Sequence, residues 1–506
     1  MSKQLFYGDN LEVLRKYIKD ESVDLCYIDP PFNSKRNYNQ IYNNLGKEDR
    51  AQAQAFIDTW TWDDRANQGL VEIQENYLGS FTSQSIDLIS GLVKVLGKGS
   101  LLAYLLSMTL RIAEINRILK PTGSFYLHCD PTTSHYLKII IDAIFCPQAG
   151  QFQNEIVWCY SIGGKSKDKF GRKHDIILFY TKGKKYTFNR KGASIARKQN
   201  SHMKVRTDLE GREYQEKKDK KTGKIYQYYL DEGKIAEDYW VDIETLNRED
   251  RERLGYPTQK PEALLERIIK TSSNEGDLIL DAYCGCGTTI AVAERFNRVW
   301  IGIDITYQSI SVILKRLEDN FGKNILDTIV TNGIPKDIES AKALATKKDD
   351  RTRKEFEKWS ILTYSNNRAV INAKKGADQG IDAIAYFQGD RDSPEKIIFQ
   401  VKSGKVKSGD IRELQGTMSL QQAEIGIFIT LNQPTKDMLQ TAKSAGIYQS
   451  RYMSQSIDKI QIISITEILE EKKRLDIRLA FEVLKSAEKQ RETKDKQLSL
   501  DIRIGN

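Results

Sequence analysis

Short apolar runs recur through the first part of the chain: LCYI (25–28), SFYLHCD (124–130), EIVWCY (155–160), DIILFY (175–180), LILDAY (278–283) and RVWIGIDI (298–305). Stretches of helical periodicity separate them. This alternation predicts an α/β fold with a parallel, doubly wound sheet. Between about 183 and 250 it breaks down into polar, basic and tyrosine-rich sequence that includes KKDKKTGKIYQYY, which predicts an inserted module. Past Leu326, the sequence TNGIPKDIESAKALATKKDDRTR carries a Gly-Ile-Pro breaker and then a charged connector of helical character. A second, smaller α/β pattern follows, with a helix at EFEKWSIL, strands around DAIAYF, IIFQVKS and IGIFITL, and the turn-rich AKKGADQG. The closing EEKKRLDIRLAFEVLKSAEKQRETKDKQ predicts a helix with a largely solvated face.

Length agrees with this division, since 506 residues at ~150 per domain make about three globular units. We read a first domain over 1–335 with 183–250 set within it, a linker at 336–352, a second domain over 353–470 and a charged tail at 471–506. A formal net charge of +9 favours a polyanionic partner without requiring one. MSKQLFYGDN lacks the apolar run of a signal peptide, and no stretch approaches the ~18 apolar residues of a membrane span. A cytoplasmic protein with no membrane partner is expected. The six cysteines include no CxxC pair, and the closest two, Cys284 and Cys286, lack the neighbouring ligands a zinc site needs.

Residues 281–289, DAYCGCGTT, fall between the apolar DLIL and the helical IAVAERF. A glycine-rich turn from strand to helix lets the backbone approach a nucleotide-like ligand and exposes helix N-terminal amides to it. Gly285 and Gly287 supply the turn, but the third glycine of G-x-G-x-x-G, wanted against a pyrophosphate, is missing. S-adenosylmethionine has no phosphate and needs only the turn. Twenty-three residues beyond Asp281, VWIGIDI ends on Asp304, suitably placed to grip both hydroxyls of a ribose. Asp281, Tyr283, Gly285, Gly287 and Asp304 are the candidate cofactor residues, set against the plainer reading of a tight turn with no ligand.

Upstream, LCYIDPPFNS places Asp29, Pro30, Pro31 and Phe32 at the carboxyl end of an apolar strand, where doubly wound sheets carry their chemistry. The exocyclic amine of a base is a poor nucleophile, because its lone pair is delocalised into the ring. Catalysis must draw the nitrogen towards tetrahedral geometry and aim it at the methyl donor. The Asp29 carboxylate and the Pro30 carbonyl can accept one amino hydrogen each. Two successive prolines stiffen the turn and remove competing amide donors, and Phe32 offers a face on which an extruded base can stack. These four are the candidate catalytic residues.

With both motifs in place, the sequence resembles the amino-methyltransferases of DNA restriction-modification systems over roughly residues 3–335. The family's catalytic tetrapeptide is DPPY or DPPF and its cofactor loop is D-x-F-x-G-x-G-T, with Tyr283 here standing for the phenylalanine. The resemblance implies that Asp9, in LFYGDNLEVL, contacts the cofactor adenine, and that Thr258 and Lys260, in PTQKPEALLERII, hold its methionine end. A catalytic motif that precedes the cofactor loop resembles the circularly permuted β class. That class implies a Rossmann-like sheet with a target-recognition region in the gap, here 183–250. LHCDPTTSHYLKIIIDAIF and FGRKHDIILFYTK look like family segments lining the base pocket, and His174 in the second reads equally as a structural hydrogen-bond partner or a substrate contact. Cytosine-N4 members commonly carry serine where Asp29 stands, so adenine N6 is the implied target and cytosine N4 the alternative. The implied partner is double-stranded DNA, with lysines and arginines on phosphates and polar side chains on base edges; a homodimer is left open.

Residues 376–404 read GADQGIDAIAYFQGDRDSPEKIIFQVKSG, a glycine-rich turn leading into one strand and then another. Asp382 starts the first strand, and Gln400 and Lys402 alternate with Val401 on the second, so both point to one face. A carboxylate and an amide oxygen can hold Mg2+, while a lysine beside them orients or activates the attacking water. The segment resembles the Mrr-like branch of the PD-(D/E)xK restriction endonucleases over roughly 353–450, with Gln400 where most relatives have an acid. Glu357, or failing it Glu355, in KEFEKW could supply the missing ligand. The combined expectation is a bifunctional restriction-modification protein. Its rivals are a solitary methyltransferase whose C-terminal domain only binds DNA, and a methyl-directed nuclease whose first domain is a reader.

Overall fold

The computed structural model describes residues 2–477 apart from 32–35, 41–42, 45–46, 49–52, 59, 61, 162–167, 169, 198–202, 248, 255, 257, 347–349, 367–368, 373–379, 388–394 and 450–455. The chain forms two compact units, one of 1–37, 57–305 and 316–332, the other of 38–56, 306–315 and 333–506.

A nine-stranded sheet organises the first unit. Its order is Tyr239–Trp240, Gln151–Cys159, His174–Thr181, Leu119–Cys129, Val23–Ile28, Leu278–Asp281, Val299–Asp304, Lys3–Tyr7 and Ile329–Asn332. All neighbours pair in parallel except His174–Thr181, which runs antiparallel to both of its neighbours. The sheet is therefore mixed, where the alternation of runs predicted a parallel one. A parallel return needs a crossover, usually a helix, and the described residues between Cys159 and His174 form none. Ile329–Asn332, beyond Leu326, still belongs to this sheet and pairs with Lys3–Tyr7.

Both faces of the sheet are covered at its centre, where Val23–Ile28 and Leu278–Asp281 are buried at almost every position. Cys26, Ile28, Phe125, Leu127, Leu280 and Ile303 share a core with Val13 and Leu14 of helix Asn10–Tyr17 and with Leu105, Met108 and Ile112 of helix Ser100–Ile118. On the opposite face, the Tyr126 hydroxyl lies 2.7 Å from Ser272 Oγ at the end of helix Glu262–Ser272. Gly302 admits Ile290 of helix Thr288–Arg295 to within 3.1 Å of where a Cβ would stand.

Within 183–250, Val205–Thr207, Glu213–Lys218 and Ile225–Tyr229 make a three-stranded antiparallel sheet, and Ser194–Ile195 pairs with Lys234–Ile235. Lys217, Lys218, Lys220, Lys221 and Lys224 are exposed on it. Arg212 lies over the Tyr229 ring at 4.0 Å.

The second unit holds a five-stranded sheet in the order Val370–Ile371, Ala383–Phe387, Glu395–Lys402, Ile425–Thr430 and Ile460–Ser464. The first two pairings are antiparallel and the last two parallel. Ile398, Phe428 and Ile462 pack with Ile411, Leu414 and Met418 of helix Ser408–Gln421. EFEKWSIL lies within helix Asp350–Tyr364. Of the expected tail helix, 478–506 lie outside the described residues and 471–477 contain no helix. Among the described residues, no helix is long and apolar enough to cross a membrane.

Candidate active sites

Four acids end four neighbouring parallel strands of the first unit. Val23–Ile28 pairs with Leu278–Asp281, which pairs with Val299–Asp304, which pairs with Lys3–Tyr7. The registers Cys26↔Leu280, Asp281↔Gly302 and Tyr7↔Asp304 bring Asp29, Asp281, Asp304 and Asp9 to one edge of the sheet. Pro30 is buried and Pro31 half-buried, while Phe32 lies outside the described residues.

The glycine-rich turn is held by its own strand ends. Asp281 Oδ1 accepts from the Tyr283 N–H at 3.0 Å, and Asp304 Oδ2 from the Gly285 N–H at 2.9 Å. Gly285 and Gly287 have φ of +50° and +75°, left-handed values that glycine adopts without strain. A Cβ on Gly285 would stand 3.4 Å from Tyr256 Cε1, so the turn borders a narrow gap. Asp281 is 3% exposed, and burial, with further repulsion from Asp29 and Asp304, pushes its carboxyl up to about 7. Clustered carboxylates repel one another and favour a cationic ligand between them. A sulfonium cofactor fits this donor set.

Asp9 has more partners than a free adenine contact would. Its Oδ1 accepts from the Leu11 N–H at 2.9 Å, capping helix Asn10–Tyr17, and Arg111 reaches both of its oxygens at 3.3 Å. Arg111 Nε also donates to Asn10 Oδ1 at 2.6 Å, and Asn10 Nδ2 donates to the Ala282 carbonyl at 2.8 Å. This network fastens the turn after Lys3–Tyr7 to the glycine-rich turn. Sequence reasoning missed Arg111, because nothing in its helical stretch marks it as more than a charged face residue.

Lys260, expected beside the methionine end of the cofactor, donates to Asp29 Oδ2 at 2.5 Å, with side chains 12% and 17% exposed. Its backbone carbonyl accepts from Thr288 Oγ1 at 3.3 Å. Thr258 is half-buried. Behind Asp29, the Tyr27 hydroxyl lies 2.9 Å from His128 Nδ1, and His128 Nε2 lies 3.2 Å from Asp175 Oδ2. Tyr160 donates to the other Asp175 oxygen at 3.2 Å. Burial opposes ionisation of Asp175, but hydrogen bonding and charge from His128 outweigh it and hold the carboxyl below its usual range. Asp175, rather than the adjacent His174, joins this network.

In the second unit a cavity of about 280 Å³ is lined by Glu357, Gly380, Asp382, Gln400, Val401, Lys402, Ser403 and Gly404. Asp382 Oδ2 accepts from the Val401 N–H at 2.7 Å. Gln400 is 2% exposed, and among the described residues its Oε1 has no hydrogen-bond partner. Burial pushes the Glu357 carboxyl up, against the pull of Lys354, Arg353, Lys358 and Lys402. Glu355 is used otherwise, accepting from the Tyr307 N–H at 3.1 Å and from Lys358 Nζ at 2.6 Å. An orphaned amide oxygen beside two carboxylates is an oxygen-only donor set of the kind Mg2+ prefers.

Residues 23–315 match the DNA methylase family. The chain belongs to that family. Residues 349–466 of the methylase match the restriction endonuclease family, so it also carries a restriction endonuclease domain. It is 30% identical over 319 residues to the DNA adenine methyltransferase YhdJ of Escherichia coli K12, covering 63% of this chain and 83% of that protein. It is 31% identical over 327 residues to the type II methyltransferase M.HpaI of Haemophilus parainfluenzae, covering 63% and 76% respectively. The solved M1.HpyAVI-SAM complex aligns over 62% of this chain and 98% of that one, at 16% identity and a TM-score of 0.33.

Proposed function

We propose that the methylase transfers a methyl group from S-adenosylmethionine to the exocyclic amine of a flipped base in double-stranded DNA, with adenine N6 as the target. The observation that carries this reading is the pairing of Val23–Ile28, which ends at Asp29-Pro30-Pro31, with Leu278–Asp281, which leads into the glycine-rich turn. When bound, the cofactor supplies an electrophilic methyl group on sulfur. The Asp29 carboxylate and the Pro30 carbonyl accept the two amino hydrogens, drawing the lone pair out of conjugation with the ring. As the nitrogen gains positive charge, the fixed carboxylate stabilises it more than it stabilises the neutral amine, which is what accelerates the step. Asp304 and the turn at Gly285 hold the cofactor's ribose end, and Arg111 keeps the Asp9 turn in place. Aspartate at position 29 supports adenine over cytosine N4, as does the name of the YhdJ relative. Base-modification sequencing of DNA from a host expressing the protein tests this; N4-methylcytosine or no modification would refute it.

For the endonuclease domain we propose Mg2+-dependent DNA cleavage in the same restriction-modification system. Asp382, Gln400 Oε1 and Glu357 would hold the ion, which supplies Lewis-acid chemistry, and Lys402 orients the attacking water. The shared cavity supports this reading. A domain that binds DNA without cutting it is the second reading. It is favoured by one feature of the sequence: Gln400 stands where most relatives have an acid, which leaves fewer negative charges to hold the ion. Cleavage with and without Mg2+ separates the two.

A further inference from the structure

Lys260 joins the two halves of the methylation site. Its backbone carbonyl is bound by Thr288, the first residue of the helix that follows the glycine-rich turn. Thr288 is held in turn by Arg316, whose Nη1 donates to Thr288 Oγ1 at 3.1 Å and to the Cys286 carbonyl at 3.3 Å. Arg316 also donates to Glu262 Oε1 at 2.6 Å, fixing the start of the helix that Lys260 precedes. Through this framework the Lys260 backbone is rigidly tied to the glycine-rich turn, while its ammonium sits on Asp29.

That pairing is unproductive for methyl transfer. An ammonium 2.5 Å from Asp29 Oδ2 neutralises the carboxylate whose negative charge is needed as the amine becomes cationic. It would also stand close to a cofactor that carries a positive sulfonium. Neither group can be removed to solvent cheaply, since both side chains are more than four-fifths buried. A second anion that competes for Lys260 resolves the conflict, and the methionine carboxylate of the cofactor is one.

We propose that Lys260 is a positioning residue that couples cofactor occupancy to Asp29: in the free protein it neutralises Asp29, and the cofactor's carboxylate draws it away, leaving Asp29 charged for the target amine. The proposal rests on the S-adenosylmethionine reading above. It makes Asp29 and the cofactor carboxylate competitors for one cation, so removing the Asp29 charge strengthens cofactor binding.

Calorimetry of S-adenosylhomocysteine binding to the full-length protein tests this, using wild type, Asp29→Asn, Lys260→Gln and the double variant. This thioether product has the carboxylate but no sulfonium, so loss of the Asp29 charge does not act on sulfur. Asp29→Asn is expected to tighten binding by roughly fivefold or more, the usual lower range of coupling between sites. In the Lys260→Gln background the same change should have no effect. Decarboxylated S-adenosylmethionine, which cannot compete for the lysine, should bind no more tightly to Asp29→Asn than to wild type. Unchanged or weaker S-adenosylhomocysteine binding by Asp29→Asn would overturn the coupling while leaving the cofactor reading intact. Failure of the wild type to bind S-adenosylhomocysteine at all would overturn both.

Discussion

The carboxylate of Asp304 accepts the Gly285 backbone N–H at 2.9 Å, so the end of one strand clamps the turn that follows its neighbour. On the other side, the Asp304 carbonyl accepts from the Gly8 N–H at 2.9 Å. One residue therefore stitches together three consecutive strand ends. Asp304→Ala removes a charge-assisted bond of ~1.5–3 kcal/mol that fixes the turn, as well as the acceptor proposed for the ribose. A loss of S-adenosylhomocysteine affinity of about tenfold or more is expected by calorimetry. Gly285→Val should do the same through its φ of +50° and the Tyr256 ring at 3.4 Å. Unchanged affinity in both variants would mean that the pocket lies elsewhere.

Asp29→Ala should abolish methyl transfer with cofactor binding retained. The expected loss exceeds ~100-fold, the scale of removing one preorganised polar contact at a reacting centre. Transfer of labelled methyl groups to unmodified plasmid DNA measures it. Turnover at the wild-type rate would remove Asp29 from the chemistry.

Asp281 gives stability a pH dependence of definite sign. Its carboxyl is pushed up to about 7 in the folded chain, from near 4 when unfolded. Between those values the folded state binds the extra proton, so stability falls as pH rises, and the penalty is complete above about pH 7. Its upper bound is about 4 kcal/mol. Asp281→Asn keeps an oxygen for the Tyr283 N–H and cannot ionise. Urea unfolding at pH 4.5 and 7.5 should show a smaller decline for the variant, and identical declines would contradict the assignment.

In the endonuclease domain, Lys402→Ala and Asp382→Asn should each remove Mg2+-dependent cleavage. Cutting should also differ between DNA that carries the methylase's own mark and DNA that does not, since an indifferent nuclease would attack its host. Plasmid digests of both substrates, with and without Mg2+, give the answer. No cleavage of either substrate under any condition would leave the domain a binding module, and cleavage by Lys402→Ala at the wild-type rate would remove Lys402 from the chemistry.

Gln400 separates function from stability. Its buried Oε1 has no partner among the described residues, and an unsatisfied buried polar group costs about 1–3 kcal/mol. Gln400→Leu should therefore raise the unfolding midpoint while cleavage is lost. A lowered midpoint with cleavage retained would count against a site role.

Much of this protein was determined by the sequence alone. Apolar runs of strand length, from LCYI to RVWIGIDI, separated by helical stretches, pointed to a sheet covered by helices, because that arrangement removes such residues from water on both faces. The Asp-Pro-Pro-Phe and glycine-rich turns announced themselves by local chemistry, since proline and glycine limit what the backbone can do. Tertiary structure alone decided which strands are neighbours: only the sheet order sets Asp29 beside Asp281 and Asp304. It decided that Lys260 meets Asp29, that Arg111 reaches Asp9, and that Glu357 rather than Glu355 lines the cavity. It also reversed the direction of His174–Thr181. The periodicity of a strand reports which residues are buried. It carries no information about direction or partners, because pairing energy is shared among many similar backbone hydrogen bonds and is settled only when all of the elements pack together.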